Sequence, residues 1–155
     1  MLGWSKAIEQ AAKDASVYIK LGDGDSVIGG FIGEPSSREF VWTGERGVDP
    51  GSEEGKEAIA GGERVKVRFS INLYVFKDEA TKVFDMSKTV FNDLVKLKNK
   101  YNLEDWSFEI QRTGSGSATK YTILPDDRLS EEQKAKVKAA ELIPLDDSEK
   151  EPLPF

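Results

Sequence analysis

Residues 64–76 read RVKVRFSINLYVF, a strict alternation of side-chain types. In an extended strand successive side chains point to opposite faces. Val65, Val67, Phe69, Ile71, Leu73 and Val75 therefore share one face, which suits a core. The other face carries Arg64, Lys66 and Arg68, then Ser70 and Asn72, then Tyr74 and Phe76. Cations for phosphates and rings for unpaired bases are the two things a single-stranded nucleic acid needs from a protein. A solvated strand face whose rings pack beneath a loop is the plainer alternative.

Neighbouring stretches carry the same two residue classes. In SVYIKL, Tyr18 and Lys20 lie opposite Val17, Ile19 and Leu21. In REFVWTG, Arg38, Phe40 and Trp42 share a face, and whether that face looks outward or inward stays open. In ATKYTILP, Lys120 and Thr122 lie opposite Tyr121 and Ile123. Stacking is worth about 1–3 kcal/mol per base and tolerates any base, so a few such rings give affinity without sequence preference.

Other chemistries are poorly supplied. The chain has no Cys and no His, which removes disulfides, thiolate nucleophiles, imidazole bases and Cys/His zinc sites. The two carboxylates of GDGD, Asp23 and Asp25, tempt a metal reading, but Gly-Asp pairs are ordinary turn formers. GSGS lacks the lysine and the strand-to-helix setting of a phosphate loop. The expectation is a non-enzyme with no cofactor and no metal.

The net charge of −6 argues against a nucleic-acid binder until its distribution is considered. Residues 47–63 carry five acids and one lysine, and so do residues 141–155, which leaves the rest of the chain at +2. A mildly basic body with two acidic segments is not an acidic protein. In the second segment, Asp146, Asp147, Glu149 and Glu151 lead to PLPF and Phe155. The prolines keep such an end extended, which lowers the ordering cost of docking. A ring beside an α-carboxylate suits an apolar pocket rimmed by Arg or Lys on a partner protein.

These residues need a scaffold, and 155 residues suffice for one domain. GWSKAIEQAAKDA places Trp4, Ile8 and Ala11 or Ala12 at helical spacing, and SVYIKL, GDGD and SVIGGFIGEP read as a hairpin. REFVWTG is a third strand, and residues 47–63 read as a long acidic flexible loop with at most one helical turn. After the strand of residues 64–76, TKVFDM returns. SKTVFNDLVKLKNKYN is a helix capped by Ser87, with Val90, Phe91, Leu94, Leu97 and Tyr101 on its apolar face. DWSFEIQR and ATKYTILP flank a TGSGS loop, and a last helix starts at Ser130 with Gln133 completing a capping box. The fold expected is mainly β: a small Greek-key barrel of the OB type with N-terminal, inserted and C-terminal helices. Residues 1–143 form that domain, and residues 144–155 a disordered tail. A ferredoxin-like or other α+β sandwich also fits the element order.

YNLEDWSFEIQRTGSGSATKYTILP, followed by a helix and AAELIPL, resembles the C-terminal half of bacteriophage single-stranded-DNA-binding proteins. YIKLGDGDSVIGGFIGEP and EFVWTG fit the first half, and DDSEKEPLPF is similar to the acidic Pro-Phe tails of bacterial single-stranded-DNA-binding proteins. The resemblance implies an OB-fold that coats transient single strands in replication, recombination and repair. It also implies a tail that recruits replication or repair proteins. Some phage relatives carry a zinc ribbon in mid-domain, which this chain lacks the ligands to build. No apolar run is long enough to span a bilayer and the N-terminus is mixed in charge, so a host-cytoplasmic protein, not secreted, is expected. Three rivals remain: a protein-interaction module whose acidic surface mimics DNA, a metal-dependent nuclease, and an oligosaccharide binder.

Overall fold

A computed structural model describes residues 18–145. The expected first helix and the tail residues Asp146, Asp147, Glu149, Glu151 and Phe155 lie outside the described residues. The strands are β1 (Ser26–Trp42), β2 (Gly47–Val48), β3 (Lys66–Val75), β4 (Ala80–Met86), β5 (Trp106–Thr113) and β6 (Lys120–Arg128). The helices are α1 (Glu53–Ala60), α2 (Lys88–Lys100) and α3 (Glu131–Ala139). The described part is thus mainly β, as its alternating stretches predict.

The strands form one antiparallel sheet in the order β4-β3-β1-β5-β6, with β2 paired to the far end of β1. Among the described residues the sheet does not close into a barrel, which corrects the expectation of a small Greek-key barrel to an open antiparallel sheet. Its outer strands meet through side chains instead: the rings of Phe84 on β4 and Tyr121 on β6 lie 6.0 Å apart, edge to face. Helix α2 packs against β3, β4 and β6.

Two predicted strands are one. β1 runs unbroken for 17 residues through Gly33 and Pro35 because the ladder to β3 shifts register between Ile32 and Ser36. Gly33 takes the left-handed φ of +71° there, and Pro35 falls where no ladder donor is required. The predicted SVYIKL hairpin is not formed. Tyr18 instead bridges Val83 in parallel, and Ile19 N–H donates to the Val83 carbonyl at 2.9 Å. The GDGD turn does form, but it docks on β5: Gly24 N–H donates to the Arg112 carbonyl at 2.8 Å, and Gly114 N–H to Asp23 Oδ1 at 2.8 Å. Ile19 and Leu21 pack on the core, which is what draws this segment away from a simple hairpin.

The acidic stretch read as a loop contains a two-turn helix. Ser52 caps α1 by accepting from Gly55 N–H at 3.0 Å, and Glu53 and Glu54 sit in the first turn, where carboxylates complement the helix dipole. Gly55 lets that turn close on the preceding chain, since a Cβ there would fall 2.1 Å from the Asp49 carbonyl oxygen.

The main core joins Phe31, Ile71, Leu73, Val75, Phe84, Phe108 and Ile110 with Val90 and Leu94 of α2. Ser87 caps α2 as predicted, accepting from Val90 N–H at 3.3 Å, and Phe91 stacks on Phe69 of β3. A second, smaller cluster lies on the outward side of the sheet, where Leu129 and Val137 pack on Tyr74. The Ser130–Gln133 capping box starts α3, the helix that supplies Val137.

Candidate nucleic-acid interface

The pairing of β1 with β3 builds the candidate site. Ser36 lies across from Ser70, Arg38 from Arg68, and Phe40 from Lys66. On the far side of β3, Ser70 faces Asp85 of β4. Alternation puts Ser36, Arg38, Ser70, Arg68 and Asp85 on one outward face, away from Ile71 and Phe84 in the core. Tyr18, Ser37 and Leu145 complete the lining of a shallow depression there.

This face is divided in two, and the division decides what is available. Beyond Ser70, the chain that leaves α3 lies over β3. Asn72, 3% exposed, donates through Nδ2 to the Ile143 carbonyl at 3.1 Å and accepts at Oδ1 from Ile143 N–H at 3.0 Å. Tyr74 is 8% exposed under Val137 and Leu129. In the other direction, toward the start of β3, Lys66 and Arg64 stand exposed. The covering segment reaches the depression at Leu145.

Asp85 holds the centre. Arg68 donates to its Oδ2 from Nε at 2.9 Å and from Nη2 at 2.5 Å, and Ser70 Oγ lies 3.4 Å from its Oδ1. The carboxylate side chain is 11% exposed and the guanidinium 24%. Burial pushes the Asp85 carboxyl above its ordinary range, although Arg68, Ser70 and the charge of Arg38 all favour its ionised form. The pair is thus a desolvated acid that fixes the direction of one arginine, beside a second arginine across the strand.

The residues singled out from sequence fall into three groups. Arg38, Arg68 and Tyr18 meet at the depression, with Lys66 and Arg64 following along β3 and Trp42 half-buried at the end of β1. Phe40 and Tyr74 do not belong to an open stacking surface. Phe40 is 6% exposed and Tyr74 8%, the latter because α3 and its downstream chain cover that half of β3. Phe76 packs edge to face on Tyr74 at 5.5 Å and is half-buried with it. Lys20 and Lys120 lie elsewhere. Lys20 lines a separate cleft, and Lys120 opens β6, with β5 between it and β1.

Sequence reasoning missed Asp85, Ser36 and Ser37. Their signal is the register, since Ser70 opposite Asp85 and Ser36 opposite Ser70 become visible only once the strands are paired. Among the described residues, no three acidic side chains gather where they could hold a metal ion. Asp25 instead closes its own turn by accepting from Gly22 N–H at 2.8 Å. Compared with protein-family models, with curated protein sequences and with solved structures, the chain matches none.

Proposed function

We propose that this chain binds single-stranded DNA without sequence preference, along the open half of the β1–β3 face. The observation that carries the reading is the pairing of Arg38 with Arg68 across the strands, continued by exposed Lys66 and Arg64. Phosphates would track this row, with Ser36, Ser37 and Ser70 as hydroxyl donors beside it. Trp42 and Tyr18, both half-buried, are the remaining stacking candidates, and Phe40 and Tyr74 are withdrawn from that role.

The strand order supports the finer fold reading. A helix inserted between β4 and β5 of a β4-β3-β1-β5-β6 sheet is the arrangement of an OB barrel lacking its closing ladder. In OB-folds the second and third long strands form the binding face. Here those are β3 and β4, which carry Arg68, Ser70 and Asp85. With the sequence resemblance, this favours a non-catalytic, phage-type coating protein of replication, recombination and repair in the host cytoplasm. Residues 146–155, with Phe155 at the tip, would recruit partner proteins.

The test is tryptophan fluorescence during titration with oligo-dT, at low and moderate salt, for the full chain and for Trp42→Phe. Quenching that weakens with salt, is mostly lost in Trp42→Phe and is small with duplex supports the reading. No response at low salt would sink it. Deleting residues 146–155 should leave affinity for the strand intact or raised while abolishing partner recruitment. Unchanged recruitment would overturn the tail's role.

One observation favours a second reading. Glu53, Glu54 and Glu57 stand exposed on α1, which packs against β1, so an acidic surface borders the cationic one. A protein-interaction module of this kind would bind a basic protein and ignore oligonucleotides.

A further inference from the structure

The start of β1 leaves a short stretch of main chain open. Arg112 N–H donates to the Asp25 carbonyl at 3.0 Å, so Asp25, Val27 and Gly29 aim their main-chain groups at β5. Ser26 and Ile28 then aim theirs at the β3 side. The ladder there begins at Gly29 and Val75, and beyond it Phe76 N–H reaches the Ile28 carbonyl at 3.3 Å. The Phe76 carbonyl accepts instead from Glu79 N–H at 3.3 Å, because the chain turns toward β4. Among the described residues, the N–H and C=O of Ser26 and the N–H of Ile28 are left without a ladder partner. Unpaired groups in a row at a strand edge are a template for another strand.

Ser26 and Ile28 line a cleft of about 540 Å³. Ile19, Leu21, Val27 and Val75 give it an aliphatic wall, and Lys20, Lys77 and Lys82 stand around its mouth. Asp78 pairs with Lys82 at 3.0 Å, so Lys20 and Lys77, both exposed, leave the mouth positive. Ile28 is 38% exposed, so apolar surface at the lip meets water.

This chemistry suits a peptide better than a nucleotide. Phe76 is the one ring in the lining, and it already packs edge to face on Tyr74, so a base finds no open face to stack on. Donors and acceptors spaced as a ladder match a peptide backbone. We propose that the cleft takes an extended acidic segment of a partner protein, added as a short strand to the open edge of β1. An apolar side chain of the segment lies against Val27 and Val75, and its carboxylates meet Lys20 and Lys77. Side chains of an added strand alternate faces, so the sequence it fits alternates acidic and aliphatic residues. Single-stranded DNA binding along Arg38 and Arg68 does not depend on this cleft, which lies at the other end of β3.

The test titrates an end-blocked hexapeptide of alternating aspartate and leucine into the full chain, followed by NMR. Saturable shifts are expected at the Ser26 and Ile28 amides and the Val27 and Val75 methyls, with slowed amide exchange at Ser26 and Ile28. Lys20→Glu combined with Lys77→Glu, both at exposed positions, should weaken binding several-fold. No saturable shift, shifts without amide protection, unchanged binding by the double variant, or equal binding of the lysine–leucine counterpart overturns the proposal. So does tighter binding at these amides of a synthetic peptide of residues 146–155, which would make the chain's own end the occupant. Oligo-dT moving the same amides would overturn it as well, by making the cleft a DNA site.

Discussion

Arg68 is held in place by a carboxylate that burial makes reluctant to ionise. Asp85 therefore works against phosphate binding by charge while fixing a guanidinium by geometry. Asp85→Asn should raise affinity for oligo-dT several-fold at low salt, because it deletes a negative charge beside Arg38 and Arg68. Arg38→Ala should weaken binding and flatten the log-affinity against log-salt slope by about 0.7, the share of one phosphate on a single strand. Both are read by titration at three salt concentrations. The pH dependence follows from the direction of the Asp85 shift. A carboxyl raised in the folded state takes up its proton at a higher pH than in the unfolded chain. Its contribution to stability is therefore present at low pH and lost as pH rises through the folded value. Strand affinity should rise over the same descent in pH, and Asp85→Asn should remove that part of both profiles. Phe40 marks the contrast between packing and contact. At 6% exposure, Phe40→Ala should cost about 3–5 kcal/mol of stability in denaturant melts, as for a core phenylalanine.

At the scale of elements, Asn72 hydrogen-bonds β3 to the chain after α3. Asn72→Ala removes both hydrogen bonds to Ile143 and should cost about 1–3 kcal/mol, with faster amide exchange at Ile143. Gly55→Ala should destabilise α1, since its Cβ would meet the Asp49 carbonyl at 2.1 Å, and exchange in residues 53–60 would report it. These two residues also show what the sequence discloses and what it hides. Helix α2 was legible because Ser87 and the Val90–Leu94 spacing are local signals. The core face of β3 from Ile71 to Val75 was legible by alternation. Alternation does not tell solvent from a second layer, so Tyr74 read as a surface ring. Its cover, Val137, is set by tertiary packing. The Asn72–Ile143 pair spans 71 positions, beyond any local pattern. Helix α1 was hidden by a glycine-rich composition, although the Ser52 cap and the acids after it were there to be seen.

On the scale of the whole molecule, the hairpins β3–β4 and β5–β6 are each closed by near neighbours in sequence, and only β1 pairs with both. Its contact with β5 joins Ser26 to Gln111, and the GDGD turn extends that seam through Asp25 and Arg112. Phe31 of β1 and Phe108 of β5 pack within the shared core, their ring centroids 5.5 Å apart. This arrangement has a kinetic consequence. Each hairpin nucleates by closing a short loop, and β3–β4 gains β1 through pairs as near as Phe40 and Lys66. The β5–β6 hairpin gains it only when a loop of about 85 residues closes, at a loop entropy that rises with the logarithm of length. The β1–β5 seam therefore forms last, after the contacts of the two hairpins. Phe108→Ala, which loosens that seam, should mainly speed unfolding, whereas Phe84→Ala in the β3–β4 hairpin should slow folding.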